Sequence, residues 1–198
     1  MLKIPWGCHL AGPGLKVEIR IAGVGGQGVV LSGHILALGA FHDGKWVICT
    51  QAYSARVRGG PVEADVIIAE RRVAFPFVRK PDILVALAEP AFRFAGLLRE
   101  GGLLLTDTSL EHLTEEVKAR KLVLPLLEKA KEVGSSSLLN MVALGALVGY
   151  TGIASPPSVE KAISETVRGP YVEADITAFR AGLALVNQAG GRGQQLEH

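Results

Sequence analysis

The sequence is poor in the residues that most often announce a function. It holds two cysteines, Cys8 and Cys49, in 198 residues. An iron–sulfur cluster draws on four thiolates and a cysteine-rich zinc site on nearly as many, so neither is expected on this chain. So few cysteines suit a reducing compartment, and a cytoplasmic location is expected. No apolar run approaches the roughly 20 residues of a membrane span. The richest, Leu138–Tyr150, is shorter and is interrupted by Asn140 and by glycines. The first residues do not read as a secretory leader, because Pro5, Gly7, Pro13 and Gly14 break any apolar core there. With 21 basic and 19 acidic side chains the formal net charge is +2, which makes no electrostatic case for nucleic acid. An H-E-x-x-H metal motif, a P-loop and a nucleophile elbow are all missing from the sequence.

What is present is apolar and alternating. Hydrophobic residues make up 48% of the chain, which suits either a large core or a subunit that buries surface against partners. Residues 1–16 read as an irregular arm, 17–190 as one α/β domain, and 191–198 as a tail whose Leu196-Glu197-His198 resembles the remnant of a histidine tag. Strands are expected at Val17–Ala22, Trp46–Gln51, Val62–Ala69, Ile83–Leu87, Leu103–Thr106 and, at an edge, Leu122–Leu124. The third is expected to pair antiparallel with the second, which makes the sheet mixed. Helices are expected at Val29–Phe41, Ala91–Leu98, around Glu111–Ala119, and at Leu126–Val133, Leu138–Tyr150, Ser158–Val167 and Val172–Asn187. The fold class is therefore α/β: a three-layer α/β/α, Rossmann-like domain with a mostly parallel or mixed central sheet. Ser32 and His34 are the clearly polar positions of the first helix. A helix apolar on nearly all sides is covered by the sheet and by a second neighbour, for which a partner chain is one candidate.

The first strand runs into Gly23-Val24-Gly25-Gly26-Gln27-Gly28 and then into that helix. Gly23, Gly25 and Gly28 have the G-x-G-x-x-G spacing that brings backbone close to a phosphate at a helix N-terminus. A dinucleotide fold also places an acid at the end of the second strand, and Trp46-Val47-Ile48-Cys49-Thr50-Gln51 has none. Three readings stay open: an anionic ligand, close helix–sheet packing alone, or NAD(P).

The glycine turn is followed by Thr50-Gln51-Ala52-Tyr53 and by Arg58-Gly59-Gly60. Further on come Pro81-Asp82-Ile83-Leu84-Val85-Ala86-Leu87, Gly101–Ser109 and Asn140-Met141-Val142-Ala143-Leu144-Gly145-Ala146-Leu147. In this order, over roughly Val17 to Gly182, the chain resembles the gamma subunit, or gamma domain, of the 2-oxoacid:ferredoxin oxidoreductases. These enzymes decarboxylate pyruvate, 2-oxoglutarate, branched-chain or aryl 2-oxoacids to an acyl-coenzyme A. The resemblance implies partners, namely alpha, beta and delta subunits or fused equivalents, with ferredoxin reached through the complex; it leaves a homodimer open. It implies thiamine diphosphate and iron–sulfur clusters on those partners, and this chain has no Gly-Asp-Gly…Asn stretch for a thiamine–magnesium site. The family loop often reads Gln-Ser-Tyr-Gly-Pro-Glu-Ala-Arg-Gly-Gly. Here it reads Gln51-Ala52-Tyr53-Ser54-Ala55-Arg56-Val57-Arg58-Gly59-Gly60, with the Gly-Pro pair gone and a second arginine gained.

The candidate ligand residues are Gly23, Gly25, Gly26, Gln27, Gly28, Arg56, Arg58 and Asn140. Arg56 and Arg58 follow the carboxyl end of a strand, where open α/β sheets bind ligands, and their forked donors suit oxyanions. Asn140 either caps its helix or reaches a ligand at the glycine turn. His34 reads as a satisfied core residue, and the pair Glu63 and Asp65 as a solvated strand face. No catalytic set is expected. The expectation is a non-catalytic subunit on the coenzyme A side of the active site. A stand-alone NAD(P) oxidoreductase and a ligand-free scaffold are the alternatives.

Overall fold

The computed structural model describes residues 16–53 and 60–193. The arm, the tail and Arg56 and Arg58 lie largely or wholly outside the described residues. Strands β1 (Lys16–Val24), β2 (Trp46–Tyr53), β3 (Pro61–Ala69), β4 (Ile83–Ala86), β5 (Leu103–Asp107) and β6 (Arg120–Leu124) form one sheet in the order β2-β3-β1-β4-β5-β6. β1, β4, β5 and β6 are mutually parallel, and β3 runs antiparallel to both β1 and β2. The sheet is thus mixed, with β3 inserted between β1 and β2. The chain leaves β1 towards β2 on one side and returns to β4 on the other. That reversal puts a topological switch point between β1 and β4.

One face of the sheet carries the α-helices. Val17, Ile19 and Ile21 of β1 point into a large apolar core with α1 (Val29–His42), α3 (Leu139–Thr151), α4 (Pro156–Thr166) and α5 (Tyr171–Gly193). α2 (Leu126–Val133) joins them through Leu126 and Ala130. The second neighbour of α1 turns out to be α4 of the same chain. A Cβ on Gly33 would meet Ala64 of β3 at 2.7 Å, and one on Gly39 would meet Val159 of α4 at 2.8 Å. His34, expected in the core, is exposed on the side of α1 that neither neighbour covers.

The opposite face is thinner. Its layer is a 3-10 segment, Glu89–Leu97, where the sequence suggested an α-helix. Pro90 at its start and Gly96 near its end leave too short a stretch to propagate i→i−4 bonds. Ala91, Phe92, Phe94, Ala95 and Leu98 rest on Ala22, Leu84, Ala86 and Leu104. The helix expected around 111–119 is likewise a 3-10 segment, Thr108–Thr114. Beneath this layer the face is charged: Arg20 makes two 2.7 Å hydrogen bonds to the Asp65 carboxylate and stacks under Phe94 at 4.5 Å. Glu63 and Asp65 are therefore not a solvated pair. Their strand face is roofed, and Glu63 has a buried oxygen without a hydrogen bond among the described residues.

Candidate functional site

The glycine turn lies at the carboxyl end of β1, beside the switch point, and its geometry is fixed from within. Gln27 folds back over the turn: its Oε1 accepts the Val24 N–H at 2.9 Å, and its Nε2 donates to the Leu87 carbonyl at 3.1 Å. One side chain thereby ties the end of β1 to the end of β4. Gly23 leaves room for it, since a Cβ there would stand 2.4 Å from Gln27 Oε1. Gly25 donates its N–H to the Gly60 carbonyl at 2.9 Å, which anchors the far end of the β2–β3 loop at the turn. Gly26 is exposed, at φ +99°.

Gly28 is the residue before α1 and adopts φ +69°, a left-handed conformation that favours glycine. Its carbonyl accepts the first helical bond, from Ser32 N–H at 3.0 Å, and also the Ser32 hydroxyl at 3.0 Å. Asn140, in the first turn of α3, donates its Nδ2 to the same carbonyl at 3.3 Å. It is buried and does not cap α3, which begins after Leu138 with no side-chain cap. The amide bridges two helix starts. A Cβ on Gly28 would stand 2.3 Å from Asn140 Nδ2.

An open cleft of about 400 Å³ borders the turn, lined by Gly26, Gln27, Leu87, Asp107, Ser109, Ser136 and Ser137, with leucines 110, 127 and 139 beside them. Its polar end comes from residues that the sequence reading did not assign to a site. Asp107 ends β5 and is 3% exposed. Its Oδ1 accepts from Ser109 N–H at 2.9 Å and Ser109 Oγ at 2.6 Å, and its Oδ2 from Leu127 N–H at 2.7 Å. That carboxylate caps the start of α2 and of a 3-10 segment together. Ser135 Oγ accepts from the Ser137 N–H and hydroxyl. The sequence signal was a carboxylate closing an apolar strand and followed by Thr-Ser, an N-cap pattern.

The chemistry of this lining is limited and informative. Asp107 is the one charged lining residue, and both its oxygens are engaged. What is offered to a ligand is hydroxyl groups, backbone at a glycine turn and the N-terminal end of α1, whose first N–H groups have no partner within the helix. That suits an anionic fragment such as a diphosphate. The volume sits near the low end of small-molecule pockets, about 300–1,000 Å³, so it fits part of a large cofactor. A dinucleotide's ribose-binding acid would project from a strand beside β1, and that place is taken by β3, with Val62 opposite Gly23. Among the described residues no three His, Cys, Asp or Glu side chains converge as metal ligands. Among them also, no helix is long and apolar enough to cross a membrane. Arg56 and Arg58 lie outside the described residues, so the structure brings together Gly23, Gly25, Gly26, Gln27, Gly28 and Asn140.

The sequence profile described as pyruvate ferredoxin/flavodoxin oxidoreductase matches residues 18–185. 2-Oxoglutarate synthase subunit KorC of Methanothermobacter thermautotrophicus is 37% identical over 181 residues, covering 87% of this chain and 96% of that protein. Ketoisovalerate oxidoreductase subunit VorA of Methanothermobacter marburgensis is 38% identical over 172 residues, which are 84% of this chain but 36% of that one. The crystal structure of the keto/oxoacid ferredoxin oxidoreductase gamma subunit from Geobacter sulfurreducens superposes with a TM-score of 0.76 at 34% identity, covering 87% of this chain and 99% of that one.

Proposed function

The chain belongs to the pyruvate ferredoxin/flavodoxin oxidoreductase family, and we propose that it serves as the gamma subunit of a 2-oxoacid:ferredoxin oxidoreductase, on the coenzyme A side of the active site. Its relatives are named as subunits of 2-oxoacid oxidoreductases, the Geobacter sulfurreducens structure as a gamma subunit. The observation that carries the subunit reading is the match to separate gamma-type chains over nearly their whole length. In VorA the matching part is about a third of a longer chain. Where that part stands alone, the attachment to the rest of the enzyme has to be non-covalent. The partners of this reading are alpha, beta and delta subunits or their fused equivalents, with ferredoxin reached through the complex.

The residues present do not fit thiamine diphosphate with its metal, nor a cluster, so no step of the decarboxylation is assigned to this chain. Coenzyme A fits in part. Its anionic end matches the backbone donors around Gly26 and the hydroxyl of Ser136, with Arg56 and Arg58 as the cations that the described lining lacks. Coenzyme A supplies the thiol that accepts the acyl group. The work of this chain is to hold the cofactor's phosphates and keep its reach constant, and Gln27 and Asn140 keep the turn in one shape for that purpose.

The test is the assembled complex carrying Arg58→Gln or Ser136→Ala. The KM for coenzyme A in 2-oxoacid-dependent dye reduction is expected to rise about tenfold, the loss of one charged hydrogen bond, while the KM for the 2-oxoacid stays put. An unchanged KM for coenzyme A in both variants would leave the chain as a ligand-free scaffold.

A further inference from the structure

Between β3 and β4 the chain crosses the end of the sheet opposite the glycine turn, roughly 25 Å away along β1 at the usual strand rise. The crossing, Glu70 to Lys80, carries Arg71, Arg72, Arg79 and Lys80 against the single carboxylate of Glu70, a net +3. The whole chain nets +2, so everything outside these residues sums to −1. All four cations are exposed, and among the described residues none of them makes an ion pair. Between them stand Phe75, 44% exposed, and Phe77, 59% exposed, edge to face with ring centroids 5.5 Å apart.

This segment is irregular but anchored. Val78 is buried, and its carbonyl accepts Arg20 Nη2 at 3.0 Å. Pro81 is buried behind it, and the Arg79 guanidinium lies 4.9 Å over the Phe75 ring. The anchor is the guanidinium that also grips Asp65, so the crossing is tied to the charged network under the thin layer. Two outward phenylalanines on a held loop leave apolar area in water that a solvated loop has no need to show. Aromatic and arginine side chains together are what interface centres are enriched in.

We propose that the Arg71–Lys80 crossing is a docking surface for an acidic, apolar-notched surface on another subunit of the complex. The proposal rests on the gamma-subunit reading. The undescribed residues supply almost no counter-charge: 1–15 contain Lys3 and no carboxylate side chain, 54–59 contain two arginines and none, and 194–198 contain Glu197 alone. A polyphosphate or an anionic membrane would call for a broad positive field, and the remainder of this chain is slightly negative. Because the crossing is at the far end of β1 from the cleft, docking there leaves the cleft open.

The probe is the remaining subunits of the purified enzyme, separated from this chain and titrated with it in a sedimentation assay. Wild-type affinity is expected to fall about tenfold between about 50 and about 300 mM NaCl, as screening of several charge pairs requires. Arg71→Glu with Arg72→Glu, and separately Phe77→Ser, are expected to weaken binding about tenfold at low salt, with the double reversal flattening the salt dependence. Ser137→Ala, in the cleft, should bind as wild type. Arg71→Gln with Arg72→Gln serves where reversal disturbs folding, read from an unchanged melting transition. Wild-type binding that all these changes leave intact would overturn the surface and spare the subunit reading. No binding by the wild type would overturn both. Retention on phosphatidylglycerol vesicles or duplex DNA through these arginines, with subunit binding indifferent to them, would overturn the protein partner.

Discussion

The two faces of the sheet follow opposite rules. Along β1, Val17, Ile19 and Ile21 enter the apolar core, while Glu18 and Arg20 between them enter the thin layer, at 4% and 7% exposure. The alternation that reads in sequence as core and solvent is here core and core. On the helical face the distance between elements is set by the absence of side chains. α3 and α5 cross so closely that a Cβ on Gly145 would lie 1.9 Å from the Phe179 carbonyl oxygen, and one on Gly182 would lie 2.0 Å from that of Val142. On the thin face, distance is set by charge: Arg20 to Asp65, and Arg99 to Asp82 at 3.1 Å. Apolar packing tolerates small lateral shifts of helices, whereas bidentate ion pairs fix an angle. The glycine turn is attached to both regimes, through α1 on one side and the ends of β3 and β4 on the other.

The largest effect should come from closing the helix crossing. Gly182→Ala gains about 1 kcal/mol of helix propensity, but its Cβ meets backbone that has nowhere to move. Separating two packed helices costs about 3–4 kcal/mol or more, so packing wins. Thermal unfolding is expected to fall by roughly 10 °C, at about 2–4 °C per kcal/mol for a chain of this size. A melting point at or above wild type would mean that the crossing is looser than the close approach implies. The thin face is then tested by Arg20→Met, which leaves the Asp65 carboxylate, only 13% exposed, without its guanidinium. The expected loss is about 3 kcal/mol, and Arg20→Met with Asp65→Leu should recover most of it. Denaturant midpoints of the two variants decide this. A double variant as weak as the single would show that the pair is needed as a pair.

The helical face was the more legible of the two from sequence. Its strands and long helices are apolar runs bounded by glycine and proline, and periodicity finds those. The thin face hides its nature because both of its clues mislead. Glu-x-Arg alternation looks like a wet strand surface, and Ala91–Leu98 has helical composition but too little length to nucleate. The order β2-β3-β1 was half legible: antiparallel pairing of β2 with β3 followed from the pattern, whereas insertion beside β1 depends on contacts far apart in sequence. Of the site, the glycines were legible by spacing. The inward roles of Gln27 and Asn140 were not, because an amide's partners at Leu87 and Gly28 are set by tertiary approach. Asp107 was readable as a cap after an apolar strand, and its meeting with the glycine turn in one cleft follows only from the parallel order of β1, β4 and β5.

The smallest effects concern two carboxylates with opposite pH signatures, one for each face. Asp43, after α1, accepts from Ser155 N–H, Ser155 Oγ and Ser158 Oγ, each at 2.6 Å, fastening α1 to the start of α4. Burial works to raise its pKa, and these hydrogen bonds from Ser155 and Ser158 outweigh burial, so it lies below the ordinary carboxylate value. Asp82 sits at the amino end of β4; burial raises its pKa, and the Glu18 N–H and Arg99 offset this only in part. A lowered pKa means that the unfolded chain binds the proton more tightly, so Asp43 contributes stability above about pH 4 and loses it as pH falls through the folded value. A raised pKa reverses the sign. Asp82 contributes most below its unfolded value of about 4, and that contribution is lost as pH rises through the folded one. Urea unfolding of wild type, Asp43→Asn and Asp82→Asn from about pH 3 to about pH 7 separates the two. The stability difference between wild type and Asp43→Asn should widen as pH rises, and that between wild type and Asp82→Asn should narrow. Slopes of the same sign would mean that the two faces do not differ in how they hold charge, and the contrast between them would then rest on packing alone.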